Sequence, residues 1–262
     1  VCTLTLAWQT FVDAPVLVAA NRDERRDRPA EPPEWTGSTP AVIAPRDAEA
    51  GGTWIGYNDA GLFVGITNRP MANPTAERSR GLLVDDALRE PDARSAARLV
   101  ERAVETDGYD GFNLVVADRS GAFLFEWDGR LRTHRLDPGV HVVVNSGAAL
   151  GGGGAVVDAF RTPGPDDDDD GDPNRAAEQA ANARAVRAAL TPEPGEAADA
   201  WLDRAGTVLG DHEFGVCIHA DGYGTRSSSL LRLDDDGGTY RFADGPPCET
   251  PYRRVETDES QL

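Results

Sequence analysis

Val1-Cys2-Thr3-Leu4-Thr5-Leu6-Ala7-Trp8 and Val16-Leu17-Val18-Ala19-Ala20 are two apolar, strand-forming runs separated by a short turn around Asp13-Ala14-Pro15. They read as a β-hairpin. Their unbroken apolar character predicts that the strand starting at Cys2 is central and covered on both faces, because a half-exposed strand alternates. The second run ends in Asn21-Arg22-Asp23-Glu24. In a hairpin the end of the second strand lies beside the start of the first, so Arg22 and Asp23 are expected next to Cys2. Positive charge favours the nucleophilic thiolate, and a free α-amine with a pKa of about 7.7–8.0 is suited to take a thiol proton. Cys2 is thus a candidate nucleophile, although an isolated Cys in an apolar strand is more often a small core residue. The tetrad could equally be a charged turn.

Arg25 to Pro45, rich in Pro and charge, reads as a surface loop over this site. Gly51-Gly52-Thr53-Trp54-Ile55-Gly56-Tyr57-Asn58 is a turn into a strand, and Leu62 to Asn68 returns as the next one, leaving Asn68 at its tip. Arg80 to Leu88 and Asp92 to Val100 carry apolar residues at helical spacing. Phe112 to Asp118, Ala122 to Trp127, Leu131 to Leu136 and His141 to Val144 read as a four-stranded meander ending on Asn145. Residues from about 148 to 173, with many Gly and the run Asp166 to Asp170, read as a flexible, solvated acidic loop. Asn174 to Leu190 and Glu196 to Leu209 are helical. Gly215 to His219, Thr225 to Leu233 and Thr239 to Phe242 are strand-like. Blocks of antiparallel strands separated by helix pairs predict one α+β domain over residues 1–262, a four-layer αββα sandwich. A dinucleotide fold is excluded by the lack of βαβ alternation and of a phosphate-binding Gly motif.

The charge is −19, from 45 acidic and 26 basic residues, and every basic residue is Arg. Such a surface repels nucleic acid and anionic membranes. Abundant carboxylate without Lys points to concentrated salt, where a Debye length of about 3 Å at 1 M quenches the self-repulsion; a halophilic, archaeal source with a salt-rich cytoplasm is expected. No apolar run approaches the ~18 residues of a membrane span, and the start of the chain has no signal-peptide pattern, so a cytoplasmic protein without membrane insertion is expected. Three cysteines, Cys2, Cys217 and Cys248, do not make a disulfide framework. Cys217 and His219 share a strand face but form only half a metal site, so neither metal nor cofactor is expected.

The near-terminal Cys2, Asn21-Arg22-Asp23-Glu24, Gly51-Gly52-Thr53-Trp54, Asn68-Arg69, Asn145-Ser146 and Tyr223-Gly224-Thr225-Arg226-Ser227-Ser228 together resemble the NRDE family, related to the transport-and-Golgi-organisation type 2 protein. That family is grouped with N-terminal-nucleophile (Ntn) hydrolases. More distantly, the chain resembles choloylglycine hydrolases and penicillin V acylases. The resemblance implies a hydrolase acting on a non-peptide amide, or a thioester, of a small acyl substrate. Cys2 would be the nucleophile, Arg22 would favour its thiolate and Asp23 would hold the α-amine. Asn68 and Asn145 would stabilise the oxyanion, and Arg226 corresponds loosely to a late Arg of those enzymes. Arg22 and Asp23 are adjacent here, whereas the hydrolases separate the two. Val1 precedes Cys2, and a peptide bond there abolishes the basic amine. Val1 is expected to be a literal translation of a GTG start, removed with the initiator; the alternative is that it stays. The competing reading is a non-enzymatic protein that binds a hydrophobic ligand, haem or lipid, in an apolar groove around Trp8, Phe11, Trp54 and Phe63. For haem, His134, His141, His212 and His219 are the available ligands, none in a haem motif.

Overall fold

In the computed structural model, which describes residues 2–72, 76–152, 155–161 and 174–256, the opening runs form a hairpin of Thr3–Phe11 (β1) and Ala14–Arg25 (β2). Phe11 faces Ala14 at the turn, and Thr3 faces Asn21 at the open end. The chain then builds Ala30–Trp35 (β3) and Val42–Asp47 (β4), where a loop was expected. Pro32 and Pro33 disguise β3. As the outermost strand of its sheet, with its register shifted between Glu31 and Glu34, it tolerates residues that cannot donate to a ladder. Ile55–Asn58 (β5) and Phe63–Asn68 (β6) follow as read. Arg80–Leu88 (α1) and Ala93–Thr106 (α2) come next, capped by Ser79 and Asp92.

Phe112–Ala117 (β7), Ala122–Trp127 (β8) and Leu131–Arg135 (β9) form a three-stranded meander, not four. After Pro138 the chain crosses to the other sheet, where Gly139–Val144 (β10) pairs with β1. The apolar run of β10 gave no hint of the crossing, because a central strand of either sheet is apolar on both faces. Gly147–Gly152 (β11) and Ala155–Phe160 (β12) form a hairpin in what composition marked as the start of the acidic loop. Glycine there permits close strand approach: a Cβ on Gly147, whose φ is +136°, would lie 2.2 Å from the Ala159 carbonyl oxygen. The run Asp166 to Asp170 lies outside the described residues. Arg175–Ala189 (α3) and Ala198–Gly210 (α4) precede a 3₁₀ turn at His212–Phe214. Gly215 to His219 is a loop rather than a strand, leaving the turn through Gly215 at φ 63°. Tyr223–Asp234 (β13), Gly237–Ala243 (β14) and the two-residue Arg253–Arg254 (β15) close the chain.

The first sheet has the order β12-β11-β10-β1-β2-β13-β14-β15 and the second β3-β4-β5-β6-β7-β8-β9, and every pairing is antiparallel. β1 is central, as its apolar run predicts. Leu4, Leu6 and Trp8 point between the sheets against Phe63, Val115 and Leu124. Ala7 points outward with Leu17, Ala19 and Val142 into a layer with Ala183, Val186 and Trp201 of α3 and α4. On the second sheet Val64, Leu114 and Val116 pack under Leu83, Val84 and Val100 of α1 and α2. The layers are therefore α, β, β, α. Among the described residues no helix is long and apolar enough to cross a membrane.

Candidate active site

The site forms where the β1 ladders end. Thr3 pairs with Asn21 on one side and Val144 on the other; one further step along both ladders sets Arg22 and Asn145 beside Cys2. By strand alternation Cys2 points the same way as Leu4 and Leu6, between the sheets. It opens into a cleft of about 130 Å³ whose lining includes Cys2, Arg22, Asp23, Trp54, Asn68 and Arg80. Asn68, last residue of β6 and exposed, is the contribution of the second sheet's strands to the expected oxyanion site.

Alternation also divides the tetrad. Asn21 turns to the helix side, where its Nδ2 donates to the carbonyls of Leu209 (2.9 Å) and Val216 (2.8 Å). Arg22 turns to the second sheet, where its Nη2 lies 3.2 Å from Asp47 Oδ2 and its guanidinium stacks 4.1 Å over the Trp54 ring. Asp47 also accepts from Arg28 Nε at 2.8 Å. Asp23 is buried and accepts from Thr225 Oγ1 at 2.6 Å; its backbone carbonyl accepts from Tyr223 OH (3.3 Å) and from the Cys2 thiol (3.6 Å).

Burial, and after it the Asp23 carboxylate, push the Cys2 thiol up from its ordinary value, and the opposing pull of Arg22 is smaller. Arg22 pulls toward the thiolate, as expected, but burial outweighs that pull. Burial also raises the Asp23 carboxyl, against the hydrogen bond from Thr225.

Asn145 lies beside Cys2 in register but does not line the cleft; its Oδ1 is buried with no hydrogen-bond partner among the described residues. Its backbone carbonyl accepts from Asn113 Nδ2 at 3.2 Å. Arg226 is the extra residue of a bulge, where pairing with β2 steps from Thr225 opposite Asp23 to Ser227 opposite Arg22. It does not line the cleft, and its buried Nε has no partner among the described residues. Of the aromatic residues expected to form a groove, only Trp54 lines the cleft; Trp8 and Phe63 belong to the core between the sheets and Phe11 to the helix side. The four histidines also lie outside its lining: His134 bonds Glu126 and His141 bonds the Asp137 carbonyl.

Three contributors were missed in the sequence. Arg80, at the start of α1, lines the cleft and donates to the Gly111 carbonyl at 2.7 Å, and burial lowers its pKa. Thr225, within the Tyr223 to Ser228 motif, bonds Asp23 and accepts from the Ile218 N–H. Asn113 ties the sheets together: its Nδ2 reaches Thr67 Oγ1 (3.1 Å) and the Val144 carbonyl (2.9 Å), while Arg69 Nη1 donates to its Oδ1 (2.9 Å).

Two antiparallel sheets between helix layers, with Cys2 at the end of a central strand, define the Ntn-hydrolase fold. The chain superposes on penicillin V acylase from Agrobacterium tumefaciens with a TM-score of 0.58 at 14% identity, over 98% of this chain and 87% of that one. The C2A mutant of conjugated bile acid hydrolase from Clostridium perfringens gives 0.57 at 10% identity, over 99% and 98%. The chain belongs to the Transport and Golgi organisation 2 (TANGO2) family, whose model matches residues 1–151. It is 39% identical over 110 residues to the Bos taurus Transport and Golgi organization protein 2 homolog, a match of 40% of this chain and 39% of that relative. The Homo sapiens homolog is 36% identical over 112 residues, covering 41% and 40%. The chain thus spans about two-fifths of the length of these curated relatives.

Proposed function

We propose that the protein is a cysteine-nucleophile hydrolase cleaving an amide, or a thioester, of a small acyl substrate. The observation that carries this reading is the meeting of Cys2, Arg22, Asp23 and Asn68 in one cleft. With Cys2 as the first residue of the mature chain, its α-amine takes the thiol proton as the sulfur attacks the carbonyl carbon. The C–N or C–S bond then breaks, the leaving group departs with that proton, and water hydrolyses the acyl-thioester. A base assists the attack, because burial raises the thiol above its ordinary value. The Asp23 carboxylate holds the ammonium, and the amide of Asn68, the one of the two expected donors that lines the cleft, receives the oxyanion, a contact worth about 3 kcal/mol per donor.

The cleft supports a small polar acyl group over haem or a lipid tail. At about 130 Å³, lined by Arg22, Arg28 and Arg80 and by Asp23, Glu24 and Asp47, it is both charged and small; pockets for drug-sized ligands run to roughly 300–1,000 Å³. Net charge −19 without Lys supports a salt-rich cytoplasm as the setting and argues against nucleic-acid partners. The test is hydrolysis of a panel of acyl amides and thioesters, with intact mass establishing the N-terminus. Cys2→Ala is expected to abolish turnover with an unchanged unfolding curve, and full turnover by this variant overturns the proposal.

A further inference from the structure

Cys217 and His219 look like half of a metal site in the sequence, and the fold supplies the other half. The 3₁₀ turn brings His212, and the segment after β14 brings Cys248, so that one ligand atom from each of the four residues lies within 4.8 Å of all the others. Cys217 Sγ is 3.5 Å from Cys248 Sγ and 3.6 Å from His219 Nε2, and His219 Nε2 is 3.1 Å from Cys248 Sγ. The remaining three separations all involve His212, an exposed side chain whose ring centroid is 5.1 Å from that of His219. In a tetrahedral zinc centre with Zn–S about 2.3 Å and Zn–N about 2.0–2.1 Å, the edges between ligand atoms come to roughly 3.3–3.8 Å. Three of the six edges here already match within a few tenths of an ångström.

We infer that His212, Cys217, His219 and Cys248 form a structural zinc site. Two thiolates and two imidazoles in tetrahedral array select zinc among the common divalent ions. The two thiols lose their protons on binding, so the ion's charge is neutralised by its own ligands. Four protein ligands leave no open position, so the ion holds the chain together and performs no chemistry. A disulfide is the other use of such a pair, but the two cysteines are free, with sulfurs well beyond the roughly 2.05 Å of a bond.

The segment held by the ion leads directly to the cleft. Ile218, between two of the ligands, donates its N–H to Thr225 Oγ1 at 2.9 Å, and that hydroxyl donates to Asp23. Val216, one residue before Cys217, accepts from Asn21. Zinc therefore fixes the loop that positions two residues of the tetrad, whether or not Cys2 turns over a substrate.

The test uses the full chain, stripped of metal with a chelator under a thiol-free reductant and titrated with Zn²⁺ and, separately, Co²⁺. One zinc per chain is expected by elemental analysis, with the intense visible bands and thiolate charge-transfer absorption of tetrahedral cobalt. Cys248→Ser and His219→Ala, both at exposed positions, should each weaken zinc binding by at least about 100-fold, more than the loss of an outer-shell partner. Cys217→Ser should do the same, and Cys2→Ala should leave uptake intact. The inference is overturned by an octahedral cobalt spectrum, by zinc uptake that survives Cys248→Ser and His219→Ala, or by a Cys217–Cys248 disulfide forming in place of metal uptake.

Discussion

Asn113→Ala is the most direct test of how the two sheets are held in place around Cys2. Asn113 is 1% exposed, and its amide nitrogen reaches the Val144 carbonyl, Thr67 Oγ1 and the Asn145 carbonyl at 2.9, 3.1 and 3.2 Å. An NH₂ group has two hydrogens, so two of these bonds are fully made at once. Truncation leaves the carbonyls at the end of β10 without that donor, though Thr67 Oγ1 still reaches Val144 at 3.4 Å. Arg69 loses one acceptor but keeps Glu126 (2.7 Å) and Asp128 (3.2 Å). Three lost bonds, two from the amide nitrogen and one from Arg69, at about 1 kcal/mol each and a void costing roughly another 1 kcal/mol give a destabilisation of about 4 kcal/mol. Urea unfolding followed by circular dichroism should show this as a lower midpoint at unchanged slope. Asn113→Asp is the sharper variant: it keeps the shape and the Arg69 contact but turns an oxygen toward two carbonyls, and it should be at least as unstable as the Ala variant. A loss below about 0.5 kcal/mol for both would show that apolar packing alone joins the sheets.

Asn68→Ala should slow acylation of Cys2 by about 10²–10³ if its amide receives the oxyanion, measured as the pre-steady-state burst. Gly52→Ala places a methyl on a backbone at φ +72°, 2.3 Å from the Gly81 carbonyl carbon; a cost of about 2 kcal/mol or more is expected in thermal unfolding. His141 is held near pKa 4, principally by burial. The unfolded chain therefore takes up a proton near pH 6.5 that the folded chain refuses until about 4. Stability conferred by neutral His141 is full above 6.5 and falls by roughly 3 kcal/mol as the pH drops to 4, and His141→Gln should lack that slope, so that it appears in the difference between the wild-type and variant stability–pH curves.

What was legible in the sequence depended on whether the signal was local. β1, β2 and the four helices follow from runs and periodicities that need no partner. β3 was hidden because Pro32 and Pro33 are incompatible with a strand except at an edge, and edge position is a property of the sheet. β10 was recognised as a strand but assigned to the wrong sheet, since both sheets demand the same apolar pattern. The β11–β12 hairpin is hidden in the sequence because its glycines suggest flexibility, whereas in the fold they permit close packing. Within the cleft, the placing of Arg22 and Asp23 beside Cys2 follows from the hairpin pattern alone, whereas Asn68 enters only through the family resemblance. Arg80, Thr225 and Asn113 act through tertiary contacts and looked like ordinary helix and strand residues.

The Asn-Arg-Asp-Glu tetrad shows why four contiguous residues are needed where only some reach the cleft. In a strand, a slip of one residue exchanges the two faces. A slip of β2 would turn Arg22 away from Asp47 and Trp54 into the helix layer, leaving a buried guanidinium without its carboxylate. It would also separate Asp23 from Thr225, its direct partner across the ladder. Apolar neighbours do not forbid this, because Val16 to Ala20 are apolar on both faces. The polar groups forbid it: Asn21 donates to two carbonyls, from α4 and from the loop before β13, that only its face can reach, and a slipped strand would bury that amide and both acceptors unsatisfied, at about 1–3 kcal/mol for each group. Asn21 is thus the register pin of the strand and Arg22 and Asp23 are what it positions, which is why the bulge at Arg226 lies just beyond Thr225, where the neighbouring strand must adapt to a partner that cannot shift.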